Sequence, residues 1–137
     1  MAELVIVDAS VWVAYFIQQD IHHTTCKTWL QNHALNQGTF AVPVVLLAEL
    51  AGAIHRRTGK SELSRAALDA VLKLPELNVV PIDAVLGNLA ADMASQLGWR
   101  GADATYAALA YHLNVPLLSL DQEHHTRAGY LIKVRKP

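Results

Sequence analysis

Four short apolar runs, each followed by a stretch with helical spacing, constrain what this chain can fold into more than any other feature. The first, LVIV at residues 4–7, is apolar at every position and is closed by Asp8. A strand wetted on one face alternates apolar and polar residues, so an unbroken run marks a strand buried on both faces, as in a parallel sheet. TFAV ending at Pro43, NVVPI at 78–82 and NVPLLSL at 114–120 supply three more, and YLIKV at 130–134 a candidate fifth. Between them SVWVAYFIQ, HHTTCKTWLQNHALNQ up to Gly38, VVLLAELAGAIHRR up to Gly59 and SELSRAALDAVLKL behind a Ser61 cap have helical periodicity. AVLGNLAADMASQL, between an Asp83 cap and Gly98, and the alanine-rich GADATYAALAYH complete the set. The alternation predicts an α/β, three-layer sandwich around a mostly parallel sheet of four to five strands.

A chain of 137 residues fits one domain, 1–137, and no repeat, low-complexity tract or linker divides it. With 53 % hydrophobic and 17 % charged residues it lies far from the composition of disorder. The single cysteine, Cys26, cannot close an internal disulfide, so it is read as a bland, half-buried thiol in a reducing compartment. MAELVIVDAS carries an acid at position 3 and only a short apolar run, so it resembles neither a signal peptide nor a membrane span, and no other segment approaches a span. The expected location is the cytoplasm. A net charge of −1 gives no global sign of nucleic-acid binding. Locally, Arg56, Arg57, Lys60 and Arg65 cluster in HRRTGKSELSR, and Lys133, Arg135 and Lys136 in the tail; each cluster is either a solvated element end or the positive rim of an acidic site.

Four acids occupy improbable places. Asp8 and Asp121 close the first and fourth strands, and acids at two carboxyl ends of a parallel sheet can share one crevice, although either alone could simply cap the next helix. Glu49 is the only charged residue between Phe40 and His55, in a helix apolar on nearly all sides; it needs a narrow wet face, a cation or a metal. Asp103 falls in the first turn of its helix, where the macrodipole favours a carboxylate. Ala102, Ala104, Ala107, Ala108 and Ala110 around it imply close packing, which carries that acid toward the sheet.

Converging carboxylates repel one another unless something positive sits among them. An all-oxygen set points to Mg²⁺ or Mn²⁺, because no Cys/His group here has zinc spacing. The chemistry that follows is attack of water on a phosphodiester, with one cation lowering the pKa of the water and a second, ~4 Å away, stabilising the leaving oxygen.

The order and setting of these acids resembles the PIN-domain ribonucleases, particularly the single-domain VapC-type toxins of toxin–antitoxin pairs. VDASVW with Asp8 and Ser10, AELAGAI with Glu49, ADATYAALA with Asp103 and LLSLD with Ser119 and Asp121 are similar to that family's motifs in order, over essentially the whole chain. The resemblance implies a Rossmann-like sheet, a metal-dependent endoribonuclease acting on structured RNA, frequent homodimers, and inhibition by a cognate antitoxin. It makes Asp8, Glu49, Asp103 and Asp121 the catalytic, metal-binding acids. Ser10 would support a water or phosphate oxygen at the metal, and Ser119 would help orient the fourth acid. Apart from the resemblance, Arg56, Arg57 and Lys60 of the basic cluster are candidate RNA contacts. Many relatives close the stretch after the fourth acid with an aromatic, whereas here it runs DQEHHTRAGY. Asp121 is then either a direct ligand or an acid one step removed from it, with Glu123 a candidate to share its role.

The pairs His22–His23 and His124–His125 are read as solvated surface, because adjacent residues on a helix do not face the same way; His124 or His125 is near enough to Asp121 to touch RNA. Asp83 is read as a helix cap, Asp69 and Asp92 as solvated helix positions, and Trp12, Tyr15 and Phe16 as core or interface, with interface favoured. Two other phosphate-handling folds fit poorly. A phosphoacceptor receiver needs paired acids after the first strand, where Asp8 is followed by Ala and Ser, and a haloacid-dehalogenase-like phosphatase needs an acid where Ser10 stands. A binding module that keeps the fold without the metal is disfavoured by the presence of all four acids.

Overall fold

The structure is a computed structural model and describes residues 2–129 and 131–137. The chain runs β1 (Leu4–Val7), α1 (Ala9–Phe16), α2 (His23–Leu35), β2 (Thr39–Pro43), α3 (Val45–Thr58), α4 (Ser61–Leu72), β3 (Leu77–Val80), α5 (Ala84–Leu97), α6 (Gly101–Leu113), β4 (Leu117–Leu118), α7 (Gln122–Ala128) and β5 (Val134–Arg135). The five strands form one sheet in the order β3-β2-β1-β4-β5, and every pairing is parallel. Val5, Ile6 and Val7 are all fully buried. Successive side chains of a strand point to opposite faces, so helices cover the sheet on both sides and the three-layer α/β expectation holds.

Sheet order fixes where a site can form. The chain builds outward from β1 through β2 to β3, then returns to the other side of β1 for β4 and β5. Strand order reverses between β1 and β4, and ligands of open α/β sheets bind in the crevice beyond the carboxyl ends at such a point. The register Val7↔Leu118, with the Asp8 amide donating to the Leu118 carbonyl at 2.9 Å, sets Asp8 beside Ser119.

Tight packing brings α6 against that edge. Ala104, Ala107, Ala108 and Ala110 are fully buried, as the alanine run predicts. Gly98 ends α5 at φ 69, in the left-handed region that glycine enters without a Cβ penalty, and so turns the chain into α6 within a few residues.

Several local expectations shift. The fourth and fifth strands shrink to two paired residues each, because Pro116 cannot donate to the ladder and β5 is an edge strand. Tyr130, where the fifth strand was expected to begin, lies outside the described residues. Ser61 opens α4 as its first helical residue, and Lys60 holds the cap position without a side-chain cap bond. Asp83 does cap α5, accepting from the Leu86 amide at 2.9 Å. Cys26 is fully buried where half-burial was expected, and its thiol pKa is pushed up to about 11, first by burial and then by Asp20. Trp12 belongs to the core, 1 % exposed and edge-on to Phe40 at 5.7 Å, while Tyr15 and Phe16 are partly buried against it. Among the described residues no helix is long and apolar enough to cross a membrane.

Candidate metal centre

Asp8 is the hub of the crevice. It caps α1 and is only 4 % exposed. Its Oδ2 accepts the Ser10 hydroxyl at 2.6 Å, the Ser119 hydroxyl at 3.0 Å and, more weakly, the Ser10 amide at 3.4 Å. Each serine is pinned in turn, since Ser10 Oγ accepts the Leu120 amide at 3.1 Å and Ser119 Oγ accepts the Asp121 amide at 2.9 Å. Ser10 therefore spends its proton on Asp8, and Ser119 ties the acid that ends β1 to the acid that follows β4.

Asp103 enters from the first turn of α6. Its Oδ2 accepts from Arg100 Nε at 2.9 Å. Asp121 caps α7 through the Glu123 amide at 2.9 Å, and its other oxygen lies 3.8 Å from Arg100 Nη2. Glu49 reaches the same region from α3, and Tyr106 of α6 donates its hydroxyl proton to Glu49 Oε1 at 2.6 Å. Burial raises the Glu49 pKa, with the carboxylates of Asp8 and Asp103 adding to the effect and the Tyr106 hydrogen bond opposing it.

His124 corrects the surface reading of the second histidine pair. It is fully buried, and its Nε2 lies 3.5 Å from Asp8 Oδ1 and 3.7 Å from Asp103 Oδ1. Burial pushes the imidazole pKa down, but Asp8, Asp103 and Asp121 more than reverse this, and the net shift is upward. Asp8 shows the complement: burial would raise it, yet His124 and the two serine hydroxyls hold it below the ordinary carboxylate range. His125 Nε2 lies 3.0 Å from the Ser119 carbonyl and His23 Nδ1 2.8 Å from the Ala14 carbonyl, and of the four only His22 is exposed, His23 and His125 being half-buried. The signal for His124 was its place three residues after the Asp121 cap, one helical turn on, which turns it back toward the strand ends. Arg100 and Tyr106 were also missed; the first is a single cation three residues before Asp103 and the second stands three residues after it, both within reach on a helix.

The remaining predicted residues divide. Arg56 and Lys60 are exposed near the end of α3, whereas Arg57 donates to Asp20 Oδ2 at 2.7 Å. Glu123 is exposed and pairs with Arg127 at 2.7 Å. Asp69 and Asp92 are exposed, as expected.

The donor set fits a divalent cation. Asp8 and Asp103 spend their Oδ2 atoms on protein donors, and the Oδ1 of each faces His124 Nε2; one ligand atom from each of the three residues lies within 4.8 Å of the others. Neither ring nitrogen of His124 has a hydrogen-bond partner among the described residues. Oxygens left unspent and facing one another in a buried crevice require a positive charge between them.

Beyond the carboxyl ends of β1 and β4, such a crevice defines an α/β protein with an acidic site at its topological switch point, whose donor set fits a cation. The sequence matches the PIN domain family model over residues 5–129, and the chain belongs to that family. A search of curated proteins by sequence returns no match. Similar solved structures include VapC20 of Mycobacterium tuberculosis, described as a sarcin-ricin loop cleaving toxin, at 22 % identity and TM-score 0.79 over 91 % of this chain and 95 % of that one. VapBC2 of Rickettsia felis, bound to a promoter DNA fragment, has 17 % identity and TM-score 0.76 over 97 % and 98 % of the two chains. A toxin–antitoxin complex from Klebsiella pneumoniae has 13 % identity and TM-score 0.64 over 96 % and 95 %.

Proposed function

We propose that this PIN domain, acting as a single unit over residues 1–137, is a metal-dependent endoribonuclease and the toxin of a toxin–antitoxin pair, working in the cytoplasm. The observation that carries the reading is the convergence of Asp8 Oδ1 and Asp103 Oδ1 in the β1/β4 crevice, with Glu49 coupled to both. Family membership supports nuclease chemistry, and the sarcin-ricin loop cleavage named for VapC20 supports RNA as the substrate.

Asp8, Glu49, Asp103 and Asp121 would hold Mg²⁺ or Mn²⁺. When bound, such a cation supplies the charge that offsets developing negative charge on a phosphodiester and acidifies nearby water. The chain's own groups do the rest. Ser10 and Ser119 lock the Asp8 carboxylate in one orientation. Tyr106 holds one oxygen of Glu49, which leaves the other to face the cation. Arg100, fixed by Asp103 and near Asp121, stands where it would meet a phosphate oxygen. Arg56, Arg57 and Lys60, at the far end of α3 from the crevice, would contact RNA beyond the site, Arg57 by exchanging Asp20 for phosphate.

The groove between α1, α3 and α4 supports a protein partner. It encloses about 370 Å³ and is lined by Phe16, Ile17, Ile54, Leu63 and Ala67. An antitoxin covering it could place an Arg or Lys in the acidic crevice, replacing the cation's charge. Homodimerisation follows from the family resemblance.

The test is incubation of purified protein with tRNA and ribosomal RNA fragments in Mn²⁺, in Mg²⁺ and in EDTA. Cleavage in either metal that EDTA abolishes is the expected result. Folded protein that neither cuts RNA nor binds Mn²⁺ would instead make this a binding module on a nuclease fold.

A further inference from the structure

The proposed four-acid site leaves one of its nearest groups without a role. His124 is fully buried, it faces two of those acids, and both of its ring nitrogens are unpartnered among the described residues. A buried polar group without a partner is rare enough to require an explanation.

Two assignments compete. As a counter-ion, a protonated His124 would hydrogen-bond the carboxylates, yet 3.5 and 3.7 Å exceed the 2.7–3.2 Å range of N–H···O bonds. As a ligand, Nε2 would release to solvent the proton that the carboxylates favour in the metal-free crevice and point its lone pair at a shared centre. Donors ~2.1 Å from an octahedral cation stand ~3.0 Å apart at neighbouring positions. The observed 3.5 and 3.7 Å are wider than that by roughly half an ångström, so the three donors surround a gap that a bound cation would draw closed.

The ring is also held in place. His124 is the third residue of α7, its amide donates to the Asp121 carbonyl at 3.2 Å, and the Trp99 ring lies against it at 5.8 Å. The stretch after Asp121, in which the family resemblance led to an aromatic, here delivers a nitrogen donor to the crevice.

We propose that His124 Nε2 is a third protein ligand to the divalent cation, beside Asp8 Oδ1 and Asp103 Oδ1, and that it biases the site toward transition metals over Mg²⁺. The inference rests on the metal-dependent reading above. Its chemical basis is that imidazole nitrogen suits transition-metal ions, whereas Mg²⁺ prefers oxygen donors and keeps much of its water.

The test is Mn²⁺ titration of the purified protein by calorimetry, with pulsed electron paramagnetic resonance on the Mn²⁺-loaded sample. The wild type is expected to show modulation from a coordinated imidazole nitrogen. His124→Phe, which keeps the ring volume, should lose that modulation and bind Mn²⁺ about tenfold more weakly, with a smaller loss of Mg²⁺ affinity. His124→Gln should behave alike, and the wild-type spectrum decides the matter if both variants unfold. Mn²⁺ bound without nitrogen modulation, alongside EDTA-sensitive RNA cleavage, would overturn the ligand role and leave the nuclease reading standing. Folded wild type that binds no Mn²⁺ would overturn both.

Discussion

Asp103→Asn abolishes RNA cleavage, by on the order of 10³-fold or more, while the protein stays folded with a thermal midpoint close to that of the wild type. Its two oxygens explain the separation. Oδ2 meets only Arg100, whose side chain is 78 % exposed, and an asparagine oxygen can accept the same bond. Oδ1 faces His124 and Asp8 in the crevice, where the negative charge is what a cation needs. The favourable interaction with the α6 dipole that Asn gives up is worth about 0.3–1 kcal/mol. Relief of repulsion with Asp8 and Glu49 acts in the opposite direction, so the net change in stability is small. Circular dichroism and a melting curve, run beside the cleavage assay, check both halves. An Asp103→Asn protein that cuts normally would remove this acid from the mechanism, and one that unfolds would make it structural.

Asp8→Ala does what Asp103→Asn does not: it removes cleavage and also destabilises the fold by roughly 3 kcal/mol, from a lost helix cap and two hydroxyls stranded without their acceptor. Ser10 and Ser119 both donate to Asp8 Oδ2, and Ser119 is fully buried. Leu120 and Asp121 hang their amides on those same hydroxyls, so the loss propagates into the β4–α7 connection. Asp8→Asn, which retains one acceptor oxygen, should keep most of the stability yet stay inactive. Denaturant unfolding of the three proteins reads the difference directly; equal stability of Asp8→Ala and wild type would mean the serine network contributes little.

The contrast between these two acids marks how far the sequence could be read. Continuous apolar runs announced the parallel sheet, and burial of Val5, Ile6 and Val7 shows why that inference works, since a strand covered on both faces has no polar position. Asp8 and Asp121 were legible only as a pair, since each alone reads as a helix cap, whereas Asp103 stood out as a lone acid in a closely packed alanine helix. Strand ends were less legible, and β4 and β5 shrank because pairing depends on partners that a local window does not contain.

His124 was missed for a different reason. Its environment is made by residues more than one hundred positions away at Asp8 and about twenty away at Asp103, and its immediate neighbours, Glu123 and His125, look solvated. Only the cap at Asp121, which fixes the phase of α7, hinted at its direction. Arg100 and Tyr106 were hidden by similar logic, since one reads alone as an ordinary surface cation and the other as a core aromatic. Partners across a site are tertiary facts, whereas an acid in the wrong company is a sequence fact.

The most direct measurement is anomalous scattering from crystals of the protein grown with Mn²⁺. A peak roughly 2.0–2.5 Å from carboxylate oxygens of both Asp8 and Asp103, in the crevice beyond β1 and β4, is the predicted result. Well-ordered crystals with no peak there, or with Mn²⁺ bound only elsewhere on the surface, would contradict the assignment of this crevice as the metal centre.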